Sequence, residues 1–67
     1  MKFKLQYIEN NKIEENLIFN FYHLKWYLTF HGFSYDDINI IKYKKNTTLT
    51  GETSFMSPFK ILINQIH

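Results

Sequence analysis

Apolar and polar residues alternate at the start of the chain: Phe3, Leu5 and Tyr7 are interleaved with Lys2, Lys4 and Gln6. A period of two predicts a half-buried β-strand over Lys2–Ile8. Glu9-Asn10-Asn11-Lys12 follows, and two consecutive asparagines between apolar runs favour a tight turn, because Asn tolerates positive φ. The next run, Ile13–Phe19, alternates poorly, since Glu15 shares the parity of Ile13 and Leu17. A hairpin with a bulge near Glu15 accounts for it best. The alternative is a helix starting at Lys12, against which Asn16 and Asn20 argue mildly.

From Phe21 the period changes. Phe21, Leu24 and Leu28 stand at i, i+3 and i+7, with Tyr27 and His31 alongside, which predicts a helix over Phe21–His31. Asn20 is a good N-cap, and Gly32 followed by Phe33 fits a Schellman stop with Phe33 packing back near Leu28. Ser34-Tyr35-Asp36-Asp37 reads as a turn or one short helical turn, Ser34 capping and Asp37 in the third position. Ile38–Lys44, β-branched and aromatic, reads as a strand. Lys45–Thr50 is polar, and Gly51 marks a turn. In the final segment Ser57-Pro58 resembles a helix start, and Phe59, Leu62, Ile63 and Ile66 fit one helical face. Phe59, Ile61 and Ile63 equally alternate with Lys60, Leu62 and Asn64, and the isoleucines tilt the reading toward a strand with Pro58 at its start. The fold class expected is α+β in the order β-β-α-β-(β or α). A small antiparallel sheet, made of the N-terminal hairpin and one or two further strands, packs against one central helix.

Length and composition bound this picture. Sixty-seven residues make one domain, 1–67, and 19% aromatic content supplies the bulk that so short a chain needs. The absence of cysteine excludes disulfides and thiolate metal sites. No apolar stretch is long enough to span a bilayer, and no signal-like segment opens the chain, so a cytoplasmic setting is the default. Asn46-Thr47-Thr48 matches a glycosylation acceptor, which carries no weight without a secretion signal. Arginine, alanine and valine are missing, while Asn, Ile, Lys, Phe and Tyr abound, the signature of A/T-rich codons. Short chains of this bias are typical of phages and mobile elements of low-GC bacteria.

Three sets of side chains are candidates for function. The first is the helix face opposite the core stripe. Tyr22 and Trp26 lie there with Lys25 and Thr29, and His23 and Phe30 flank them. One face of one helix cannot bury all these rings, so packing favours a C-terminal element covering the second face. The functional alternative is an exposed patch of Tyr22, His23, Trp26 and Phe30 that binds a partner protein or a second copy, since Trp and Tyr are enriched at interface hot spots. The second set is a lysine stripe. Lys2 and Lys4 share a strand face, and Lys42 and Lys44 share another with Lys45 just beyond, so neighbouring strands would make a weak, salt-sensitive nucleic-acid surface. A net charge of only +2 and the lack of arginine argue instead for a solubilising face.

The third set is the histidines. His23 and His31 are eight residues apart, outside the i, i+4 spacing of helical zinc ligands, and His67 is terminal. No metal or cofactor is expected. Asp36 and Asp37 diverge as neighbours and suit turn chemistry. Ser34, Ser54 and Ser57 have no partner histidine at a recognisable spacing, and two glycines exclude a phosphate loop. A fold this small also has little room for a cleft of about 300 Å³ or more. The expectation is therefore a non-enzymatic protein-binding module. Its setting would be a phage or mobile element, acting on a host protein as an inhibitor or anti-defence factor. A small nucleic-acid-binding protein or a structural homo-oligomer are the alternatives.

Overall fold

The alternation of Phe3, Leu5 and Tyr7 builds β1 (Lys2–Glu9), whose buried face carries Phe3 and Leu5 and whose other face carries Lys2 and Lys4. In the computed structural model, which describes residues 2–66, β1 turns at Asn10 and Asn11 into β2 (Lys12–Ile18). Both asparagines have positive φ, 49° and 66°, the type I′ geometry that matches strand twist. The expected bulge at Glu15 is not there: pairing runs unbroken from Phe3–Ile18 to Glu9–Lys12. The poor alternation has another cause. β2 is an edge strand, and Ile13, Glu15 and Leu17 share the face that points away from the helices.

Helix α1 (Phe21–Phe30) starts where Asn20 Oδ1 accepts the His23 N–H at 2.8 Å. It stops in a Schellman motif: Phe33 N–H donates to Leu28 O and Gly32 N–H to Thr29 O, with Gly32 at φ 90°. Phe33 packs against the core, as expected.

The segment after it corrects the sequence reading. Ile38–Lys44 is not a strand: α2 (Tyr35–Ile40) is followed by a 3-10 turn, Ile41–Tyr43. Ser34 Oγ accepts the Asp37 N–H, and Asp36 and Asp37 occupy the positive end of α2. Ile38 and Ile41 are both buried while Ile40 and Tyr43 are exposed, a spacing of three that a strand cannot deliver. Helix capping and burial spacing thus override β-branched propensity.

The polar run is also corrected, since β3 (Asn46–Glu52) is a strand that includes Gly51. Thr47, Leu49 and Gly51 point inward at partial burial, and Asn46, Thr48, Thr50 and Glu52 point to solvent. Threonine's β-branch supports this, and the polar atoms serve the wet face. The loop to β4 (Pro58–Ile66) is tied by Thr53, whose N–H donates to Ser57 O and whose carbonyl accepts from Met56 N–H. Met56 holds φ 61° there.

All four strands are antiparallel in the order β2-β1-β4-β3, so the first and last strands form the centre. The fold is a small α+β domain, with two helices where one central helix was expected. The C-terminal segment resolves as a strand. Phe59, Ile61 and Ile63 of β4 join Phe3, Leu5, Leu24, Leu28, Ile38 and Ile41 in one core. Burying each of these side chains contributes roughly 1.5–3 kcal/mol.

Candidate functional site

Helix α1 divides its residues between two faces about 180° apart at 100° per residue. Leu24 and Leu28 face the sheet and are buried; Phe21 and Tyr27 pack beside them. On the outer face Tyr22, Trp26 and Phe30 stand at i, i+4 and i+8, exposed to 70%, 72% and 85%. No element among the described residues provides the expected cover. The C-terminal segment is spent as a central strand on the far side of the core, so it cannot reach this face.

Tyr35, the first residue of α2, completes the surface. Tyr22, Lys25, Trp26, Thr29, Phe30 and Tyr35 line an open cleft of about 390 Å³, larger than the chain's size suggested. Lys25 Nζ lies 4.5 Å from the Tyr35 ring centroid, a cation–π contact that joins the two helices across the cleft. Tyr22 and Trp26 form a ridge, for on its other side they line a second depression with His23 and Tyr27. All four residues anticipated from sequence, Tyr22, His23, Trp26 and Phe30, are exposed. Tyr35 is absent from the patch read from sequence: the capping pattern from Ser34 to Asp37 allowed one short helical turn there, but nothing in it set that turn beside α1.

The cleft offers binding surface rather than reactive groups. Its polar contributions are one ammonium, two phenols, an indole N–H and a threonine hydroxyl. No carboxylate, histidine or thiol lines it to act as general base or nucleophile. Among the described residues no group of three or more His, Cys, Asp or Glu could hold a metal. His23 is on the outer side of α1, whereas His31 packs among the rings of Tyr7, Tyr27, Phe30 and Phe59. Burial holds His31 below its ordinary value, favouring the neutral imidazole. His67 lies outside the described residues.

On the opposite side of α1's base, Tyr7 donates from its hydroxyl to Glu9 Oε1 at 2.6 Å. That hydrogen bond to a carboxylate, aided by burial and by the charge of Glu9, pushes the Tyr7 phenol up to about 12. Burial and the charge of Glu14 also raise Tyr27. The Tyr7 ring, 5.3 Å from that of His31, ties the sheet to the C-terminal end of α1.

The lysine stripe is not assembled. Lys2 and Lys4 lie on the sheet face away from the helices, where Lys60 of β4 joins them. Because Ile38–Lys44 is helical, Lys42 goes elsewhere and stacks its Nζ 4.4 Å from the Phe21 ring centroid, beside α1. Lys44 ends the 3-10 turn, and Lys45 precedes β3 with its carbonyl accepting the Gln65 N–H. No helix among the described residues is long and apolar enough to cross a membrane. No family model matches the chain, and no characterised protein or solved structure is significantly similar to it.

Proposed function

We propose that this chain is a non-enzymatic protein-binding module whose partner seats on the α1–α2 aromatic cleft. The observation that carries the reading is the exposure of Tyr22, Trp26 and Phe30 in one row beside Tyr35. Large exposed aromatics lose apolar contact with water when covered, and Trp and Tyr concentrate binding energy at interface centres. The skewed composition supports a setting in a phage or mobile element of a low-GC bacterium. The module would then act in the host cytoplasm on a host protein, as an inhibitor or anti-defence factor.

The test is capture from a low-GC bacterial lysate with the wild-type chain and with Trp26→Ala. The expected result is a partner retained by the wild type and lost with the variant, while circular dichroism shows the variant folded. If Trp26→Ala unfolds the domain, or captures the same proteins as the wild type, the reading fails.

A nucleic-acid reading keeps Lys2 and Lys4 and gains Lys60 on the open sheet face. A gel shift that shows no binding of DNA or RNA even at low salt would eliminate it.

A further inference from the structure

The two edges of the sheet differ in character. β3 turns Asn46, Thr48 and Thr50 outward on the face away from the helices, a polar edge. β2 carries Ile13 and Leu17 on that face, with Phe19 just beyond its end, and these are exposed to 61%, 50% and 60%. Lys2 Nζ, 5.9 Å from the Phe19 ring centroid, marks Phe19 as lying on the same face. The strand contains no proline, and its register with β1 has no bulge. The usual devices that blunt an edge are reduced to the charges of Lys12, Glu14 and Glu15.

The turn determines which backbone groups are free. Asn10 and Asn11 are the two central residues of the β-turn, which sets Glu9 C=O against Lys12 N–H. Alternation along an antiparallel ladder then directs the backbone groups of Lys12, Glu14, Asn16 and Ile18 to β1. Those of Ile13, Glu15 and Leu17 point outward. An outward row of N–H and C=O groups bordered by apolar side chains is a template for another strand.

We propose that β2 is a homodimerisation edge: a second copy adds its own β2 antiparallel, joining the two four-stranded sheets into one. The edge is complementary to itself. A two-fold axis at Asn16 sets Ile13 opposite Phe19 of the second copy, twice by symmetry, and Glu15 opposite Leu17. It also keeps Glu15 from meeting its own counterpart, which an axis at Glu15 would force. The contact is isologous and closed, since it consumes the β2 edge and leaves only the polar β3 edges outside. The aromatic cleft lies on the helical side and stays open in both copies, so the proposal does not depend on the function assigned to it.

The test is mass by sedimentation and light scattering from micromolar to millimolar protein. The wild type is expected to pass from monomer to dimer and no further. Glu15→Pro removes an outward N–H but no ladder bond to β1, and should weaken the dimer roughly tenfold or more. Leu17→Lys, at a half-exposed position that leaves the core intact, should do the same and decides the matter if the proline variant unfolds. Trp26→Ala should dimerise as the wild type does. A wild type that stays monomeric at millimolar concentration overturns the proposal, as does mass growing beyond the dimer. So does a dimer that Trp26→Ala abolishes, or one that survives Leu17→Lys unchanged.

Discussion

Gly51 lies directly beneath the ring of Phe59, its partner across the β3–β4 ladder. A Cβ at position 51 would stand 2.7 Å from Phe59 Cζ. The ring cannot yield. It is stacked on Tyr7 at 5.4 Å, meets Phe33 edge-on at 6.2 Å and closes one end of the core. Gly51→Ala is therefore expected to cost about 1–3 kcal/mol through overpacking. A urea melt checks this; Phe59→Leu, which clears the space, should make the alanine far less costly.

Thr47 presents a different defect. Its Oγ1 is buried without a hydrogen-bond partner among the described residues. An unpaired buried hydroxyl costs about 1–3 kcal/mol, and valine keeps the branched shape without it. Thr47→Val should raise the urea midpoint.

Helix α1 allows its two faces to be compared on one element. Leu28→Ala opens a cavity in the core and should cost about 2–5 kcal/mol. Trp26→Ala, on the exposed face, should change stability by no more than about 0.5 kcal/mol. Thermal melts of the two variants give opposite outcomes if the faces are as described.

The pH response follows from Tyr7 and His31. Tyr7 is raised from 10.0 to about 12 in the fold, so folding favours its protonated form. That contribution is present below pH 10 and is lost as pH rises toward 12. His31 is lowered from 6.5 by burial, so its contribution is present above pH 6.5 and is lost as pH falls below it. Melting temperature should fall at both ends. Tyr7→Phe should flatten the alkaline side, apart from the share due to Tyr27, and His31→Phe the acid side.

Met56 holds φ 61° with an exposed side chain at the tip of the β3–β4 loop. A left-handed conformation costs a residue with Cβ roughly 1–2 kcal/mol, and glycine escapes it. Met56→Gly should stabilise the domain by about 1 kcal/mol in a denaturant titration.

The sequence was most informative where a local cause was sufficient. Asn10 and Asn11 set the first hairpin, because their own φ preferences form the turn. Asn20, Gly32 and Phe33 bound α1 through hydrogen bonds that close within a few residues. It misled where a pattern depended on distant neighbours. Ile38 and Ile41 read as strand residues until the core of α1 and β4 selects their helical spacing. The polar run before Gly51 has no apolar stripe of its own and becomes a strand by pairing with β4.

The same division holds for the aromatic surface. Sequence alone determined that α1 carries more rings than one sheet can bury, since periodicity assigns Leu24 and Leu28 to one side and Tyr22 and Trp26 to the other. Only the tertiary structure decided that nothing in the described chain covers that other side. β4 could have been a covering helix, but its alternating Phe59, Ile61 and Ile63 gain more between β1 and β3, where ladder and core are satisfied together. Tyr35 joined the cleft for the same reason: its capped turn was legible in sequence, but its place beside Lys25 of α1 was set by long-range packing.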